Sequence, residues 1–292
     1  MILKPRLLRY KNMKISIISQ FRDEAKYLKE WIEFHLLVGV DNFYLTNHLS
    51  VDNYLEVLQP YIDKGIVKIT DLLKNANVGE NSFKNEQILL NYSMPIINKH
   101  INESDSDWFI FLNVDEFLYP TKENNLKDII IKFDSNVGQI GVNWRLMGNS
   151  NYRLKDGELI IEKLTKCKFK DSKDIEFDPQ RHTKSLIRKE SFINLPSVHY
   201  GTIKQNYLHV DALGNPKNIE PHKFITKTQV LDNLVINHYT FRDLEYTETK
   251  IAIYKFWGRK FEDEDLYKNL YNDEDNFEIL KFLPKLKENM WL

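Results

Sequence analysis

Apolar and polar positions along this chain switch between two periods, and the switches predict its elements. Short runs rich in β-branched and aromatic residues predict strands over 15–20, 42–46, 66–70, 108–112, 138–143, 158–163, 184–188 and 234–237. Apolar residues recurring three and four apart predict helices over 23–38, 51–63, 81–102, 124–134 and 242–257. In the first helix Leu28 aligns with Ile32 and Trp31 with His35, and Gly39 suits the position after the last turn. That spacing puts His35 on the apolar face, where a hydrogen-bonded core role is expected. Pro95 lies inside the third helical pattern, which predicts a kink or an interruption. Strands and helices alternate in the first half only, so an α/β chain with a parallel half followed by a mixed half is expected.

Two strand ends carry polar residues that the packing does not require. Trp108-Phe-Ile-Phe-Leu112 is apolar without a break and ends in Asn113-Val-Asp-Glu116. Such a run reads as a strand buried on both faces whose carboxyl end opens into a crevice, where open α/β sheets bind ligands. Asp115 and Glu116 offer hard oxygens suited to Mg²⁺ or Mn²⁺, an ion able to neutralise a diphosphate leaving group. The two acids could instead cap the next element. The strand at 15–20 breaks into Arg22-Asp23-Glu24 before the first helix. Acids there answer the helix dipole, whereas a guanidinium at a strand-to-helix turn can pair a phosphate or hold the acids that read a nucleotide.

These segments resemble glycosyltransferase family 92 and its bacterial and viral family 2-like relatives, metal-dependent enzymes of the GT-A fold. Arg22 to His35 resembles that group's Arg-Asn/Asp-Glu-Ala turn and Tyr-Leu-x-Glu-Trp-x-x-x-His helix, and Gly39 to Asp52 its second strand and polar loop. Trp108 to Phe117 is similar to its Trp-x-x-x-x-Asp-x-Asp-Glu-Phe strand, and Trp144 to Ser150 to its Trp-x-x-Phe-Gly-Ser-Ser segment. Thr183 to Arg188 and Asn237-His-Tyr239 match two further blocks in the same order, so the resemblance runs over about residues 14–258.

The resemblance implies a GT-A fold, a Rossmann-like mixed sheet flanked by helices, in one domain over 1–292. Within it, about 14–120 would form the nucleotide-sugar half, 121–258 the acceptor half and 259–292 a C-terminal helical region. It implies transfer of a sugar from a nucleotide sugar, with UDP as the expected nucleotide, to a glycan or other hydroxyl acceptor, with inversion. Asp115 and Glu116 would be catalytic, and Arg22, Glu24, Asn47 and Asn113 would hold the nucleotide. Mn²⁺ or Mg²⁺ would sit on Asp115 and His238, with His199 as a second candidate. Trp144, Gly148, Asn149 and Ser150 would face the acceptor, the indole against the apolar face of a sugar ring. Inversion needs a general base, for which Asp156, Glu158, Asp174, Glu176 and Asp178 are candidates. His182, His209 and His222 read as surface groups, without the spacing of a structural zinc site. One departure stands out: Asn113 occupies the place of the first Asp in the group's Asp-x-Asp triplet. An amide can bond a ribose hydroxyl but is a poorer cation ligand, which keeps open a nucleotide-sugar- or glycan-binding pseudoenzyme.

Composition narrows the partners. The 292 residues are 42% hydrophobic, enough for one substantial core, and no Pro/Gly/Ser-rich linker divides them. A formal net charge of −1 argues against a general nucleic-acid binder. A single cysteine, Cys167, excludes an intramolecular disulfide framework and fits a reducing compartment. Neither a membrane-spanning run nor a signal-peptide core is visible, so a cytoplasmic location is expected. Lys4, Arg6, Arg9 and Lys11 make a basic arm able to meet anionic lipid, which would allow peripheral membrane contact. Glu262–Asp265 and Asp273–Asp275 suggest a helical region with an acidic exterior.

Overall fold

The computed structural model describes residues 12–72, 86–169, 178–220, 225–256 and 267–290. Nine strands form its main sheet: β1 (Ile15–Phe21), β2 (Asn42–Asn47), β3 (Val67–Asp71), β4 (Trp108–Phe111), β5 (Glu116–Pro120), β6 (Val137–Leu146), β7 (Thr183–Arg188), β8 (Leu208–Asp211) and β9 (Leu234–His238). The helices are α1 (Ala25–Leu37), α2 (Tyr54–Asp63), α3 (Glu86–Glu103), α4 (Leu126–Ile130), α5 (Ile160–Lys163), α6 (Leu244–Phe256) and α7 (Leu283–Met290). The strand order is β3-β2-β1-β4-β7-β6-β9-β5, with β8 on β6. Neighbours from β3 through β4 are parallel, and β7 enters antiparallel to both β4 and β6. A Rossmann-like parallel half thus continues into a mixed one, and β9, from late in the chain, lies between β6 and β5.

The continuous apolar run at 108–112 is explained by burial on both faces. Trp108, Ile110 and Leu112 join the large core that holds Trp31, Ile32 and Phe34 of α1, while Phe109 and Phe111 join a smaller one with Ile97 and Ile101 of α3. His35 is part of the large core. Its Nδ1 lies 2.8 Å from the Trp31 carbonyl and its Nε2 accepts the Leu118 N–H at 3.1 Å. The proton therefore sits on Nδ1, and burial pushes the imidazole pKa down to about 3, so the ring is neutral. Gly39 follows the last turn with φ +102°, and a Cβ there would stand 2.3 Å from Asn125 Oδ1, so the position requires glycine on both counts.

Some expectations need correction. Residues 158–163 do not form a strand: Ile160–Lys163 is the short helix α5, whose first free N–H groups, from Ile160 and Ile161, are taken by the Glu30 carboxylate at 2.8 and 3.0 Å. A brief apolar run has no period that separates strand from helix, and a distant acid decided the matter. The helix predicted over 124–134 is shorter, Leu126–Ile130, and α3 continues through Pro95. Glu274 and Asp275 pair antiparallel with Cys167 and Lys166 instead of lying on a helix. Lys4, Arg6, Arg9, Lys11 and Glu262–Asp265 lie outside the described residues. Among the described residues, no helix is long and apolar enough to cross a membrane.

Candidate active site

In strand order the chain steps outward from β1 to β2 and β3, then returns to place β4 on the other side of β1. At that reversal the connections leave in opposite directions, and a crevice opens at the strands' carboxyl ends. Here it is a cleft of about 270 Å³ lined by Gln20, Phe21, Arg22, Glu24, His48, Asn113, Val114 and Asp115. Its rim is held in an uncommon backbone. Asp23 and Leu49 both have φ +54°, a left-handed conformation that costs on the order of 1–3 kcal/mol in a non-glycine residue. Reciprocal bonds hold it: Asp23 Oδ1 accepts the Val51 N–H at 2.7 Å, and Ser50 Oγ accepts the Asp23 N–H at 3.0 Å. Asp52 Oδ2 accepts the Ala25 N–H at 2.7 Å, so the acid at the start of α1 comes from the neighbouring loop.

The sheet brings Asp115 and His238 together. β9 pairs His238 with Glu116, and the Tyr239 N–H donates to the Asp115 carbonyl at 2.8 Å. As a result His238 Nε2 stands 3.6 Å from Asp115 Oδ2, while Thr240 Oγ1 lies 2.9 Å from the same nitrogen. Asp115 Oδ1 and His238 Nδ1 are buried with no hydrogen-bond partner among the described residues. Burial alone would push the Asp115 carboxyl up, but His238, Arg242 and Lys250 outweigh it and hold the group well below the usual carboxylate range. An ionised, buried oxygen without a donor fits a cation. The pair supplies two ligands; among the described residues there is no group of three or more His, Cys, Asp or Glu side chains able to hold a metal ion.

Two cations in this region escaped the sequence reading. Arg242 Nη1 lies 2.6 Å from Glu24 Oε2, and Lys250 Nζ donates to the Thr240 carbonyl at 2.7 Å. Burial pushes the Glu24 carboxyl up against the pull of Arg242, and burial pushes the Lys250 ammonium down. Arg242, Tyr246 and Lys250 recur every four residues, which is the signal that could have found them.

Trp144 stands beside this group, its ring centroid 4.5 Å from that of His238, 5.4 Å from His182 and 5.5 Å from His199. His182 is therefore half-buried rather than a surface group, and burial lowers its pKa and pushes His199 down to about 3. His209 is likewise enclosed, against Gln139, and is pushed down to about 4, while His222 lies outside the described residues.

The model of glycosyltransferase family 92 matches residues 11–279. The chain belongs to glycosyltransferase family 92. A family 92 protein of Ricinus communis is 22% identical over 254 residues, covering 85% of this chain and 39% of that protein. One of Arabidopsis thaliana is 24% identical over 243 residues, covering 77% and 37%. The chain thus spans less than two fifths of the length of these curated relatives. Among solved structures, glucosyl-3-phosphoglycerate synthase from Mycobacterium tuberculosis with Mn²⁺, UDP-glucose and phosphoglyceric acid is 11% identical, with TM-score 0.39, covering 90% of this chain and 86% of that one. S. aureus TarS with UDP-GlcNAc is 16% identical, with TM-score 0.36, covering 61% and 46%.

Other residues that the family 92 resemblance singled out stand elsewhere. Glu116, expected to be catalytic, begins β5 with its side chain fully buried; it accepts the Asn113 N–H at 2.7 Å and lies 3.4 Å from the equally buried Lys184 Nζ. Asn47 spends its amide on the loop, donating to Tyr54 Oη and Asp71 Oδ1 and accepting the Ser50 N–H. Gly148, Asn149 and Ser150 pack under residues 268–272. A Cβ at Gly148 would stand 2.1 Å from Asn272 Oδ1, Asn149 Nδ2 donates to the Lys268 carbonyl at 2.7 Å, and the Ser150 N–H donates to Asn272 Oδ1 at 2.9 Å. Of the base candidates, Asp156 and Glu158 line a separate cavity of about 120 Å³ with Lys26 and Tyr27. Asp178 is held by Lys168 Nζ at 2.8 Å and accepts the Gln180 N–H, and Asp174 and Glu176 lie outside the described residues.

Proposed function

We propose that this family 92 chain is a metal-dependent glycosyltransferase that moves a sugar from a nucleotide sugar, with UDP as its nucleotide, to a hydroxyl of a glycan or similar acceptor, with inversion. The observation that carries the reading is the Asp115–His238 pair, 3.6 Å apart at the mouth of the sheet's crevice and holding a buried carboxylate oxygen without a donor. Asp115 and His238 would hold Mn²⁺ or Mg²⁺, which when bound neutralises the diphosphate leaving group. Arg22, half-exposed at the rim, meets phosphate. Glu24 and Asn113, after the carboxyl ends of the neighbouring strands β1 and β4, face the ribose, the carboxylate accepting and the amide donating. Trp144 offers its ring to the acceptor sugar, and its indole N–H, buried without a partner, is a donor for one hydroxyl. Asn47, Gly148, Asn149 and Ser150 carry no contact in this reading, since they are bonded within the fold, and neither does Glu116, whose side chain is turned into the core beside Lys184.

The two-ligand site, together with Asn113 in place of an acid, favours one alternative: a protein that binds the nucleotide sugar and does not turn it over. Incubating the chain with UDP-sugars and Mn²⁺ separates the readings. A transferase releases UDP and free sugar slowly without acceptor, a binding protein releases neither, and release of UMP would overturn both in favour of attack on the diphosphate.

A further inference from the structure

Glu24 and Asp115 share one small cleft, and each disfavours the other's charge. Two cations behind the cleft wall answer both, Lys250 and, in direct contact with Glu24, Arg242. Arg242 is 1% exposed, with its guanidinium stacked over the rings of Tyr27 at 4.1 Å and Tyr246 at 4.4 Å. The two rings, 6.2 Å apart and nearly perpendicular, enclose adjacent sides of the group, and its Nη1 meets Glu24 Oε2 at 2.6 Å. The aim is built into the backbone: Arg242 has φ +40°, its N–H donates to the Tyr239 carbonyl, and Asp243 Oδ1 then accepts the Tyr246 N–H as α6 begins. Residues rarely hold such a conformation unless their surroundings enforce it, and it turns this side chain back toward α1. Lys250 adds charge from one turn further along α6, its ammonium donating to the Thr240 carbonyl at 2.7 Å.

We propose that Arg242 is a positioning residue of the donor site: by pairing with Glu24 it fixes that carboxylate in the cleft beside Asp115, and so sets affinity for a nucleoside diphosphate through Glu24 without touching it. This rests on the nucleotide-sugar reading above. A mainly structural Arg242, holding α6 to α1, would change stability and leave nucleotide affinity alone.

The test is calorimetric titration of UDP with Mn²⁺ into the full chain, as wild type, Glu24→Gln, Arg242→Gln, the double variant and Arg242→Lys, with a thermal midpoint for each. Each Gln substitution alone is expected to weaken UDP binding about tenfold. The double variant should be no more than about twofold weaker than the weaker single, because the two residues act as one unit. Arg242→Lys, which keeps the charge, should recover a good part of the loss. Losses that multiply in the double variant overturn the proposal, and so does unchanged UDP affinity with a lowered thermal midpoint. Should Arg242→Gln not fold, the same cycle is run with Arg242→Met, which removes the charge and keeps the length of the side chain between the two rings. A wild-type chain that takes up no UDP with Mn²⁺ removes the nucleotide reading itself; UDP binding that ignores Glu24→Gln removes only the role of Arg242.

Discussion

Two polar regions of this molecule are built from similar residues and differ in one respect. At the cleft, Asp115 and His238 are largely buried and each leaves an atom without a hydrogen-bond partner among the described residues. In the seam where 145–151 meets 268–278, Arg145, Asn149, Asn272, Asn276 and Glu278 are also largely enclosed, yet their buried polar atoms are all satisfied. An unmet buried polar group destabilises a fold by roughly 1–3 kcal/mol, so a site that tolerates several is arranged for something other than stability. Residue type does not distinguish the two regions. Satisfaction does.

The largest effect that could break this contrast is at Asp115. Asp115→Ala should lower metal-dependent sugar transfer by about three orders of magnitude, or about 4 kcal/mol, while circular dichroism shows the chain still folded. Unchanged turnover with Mn²⁺ would place the chemistry elsewhere.

In the seam the expectation inverts. Arg145 Nη1 reaches Tyr119 Oη at 2.6 Å and Glu278 Oε2 at 2.9 Å, binding the C-terminal segment to the sheet. Arg145→Met should cost about 3 kcal/mol of stability by denaturant unfolding, with UDP affinity of the folded protein within about twofold of wild type. A large loss of affinity at unchanged stability would erase the distinction between the regions.

The smallest effect sharpens it on α1, whose two buried ionisable groups titrate in opposite senses. His35, with a pKa of about 3 in the fold against an ordinary 6.5, binds fewer protons folded than unfolded, so its contribution is lost as pH falls below 6.5. Glu30 is pushed by burial up to about 7 from 4.5, against the Ile160 and Ile161 N–H bonds that lower it, so it binds more protons folded and its contribution is lost as pH rises from 4.5 through 7. His199 and His209, pushed down to about 3 and about 4, act in the same sense as His35, so wild-type stability should fall between pH 6.5 and 5 with Glu30 offsetting one histidine's share. Glu30→Gln should steepen that fall by about 2 kcal/mol across the interval, measured by urea unfolding at each pH. An unchanged slope in that variant would rule out a raised Glu30.

Much of this was legible in the chain. Strand β4 announced itself because burial on both faces leaves a run with no polar interruption, β1 and β9 because their β-branched residues cluster, and α1 because its apolar spacing is undisturbed. Asp115 and Arg22 could be placed at the cleft because each follows such a strand directly. The inward turn of Glu116 was not legible because adjacent residues at a strand start point to opposite sides, and the sequence does not say which side is water. The bonds that hold Asn47 and Gly148–Ser150 were not legible because their partners, Asp71 and Asn272, lie on other elements. Arg242 remained hidden because its acid, Glu24, belongs to the opposite end of the chain.

The spacing of Asp115 and His238 depends on a short ladder and not on the length of chain between them. Residues inserted into a surface turn between β6 and β9 would leave Tyr239 bonded to the Asp115 carbonyl and the pair where it stands. A slip of β9 by a single residue would instead turn His238 to the other side of the sheet. The intervening chain is thus free to change in length but not in phase, and new loops can be grafted over the acceptor side without rebuilding the floor beneath them.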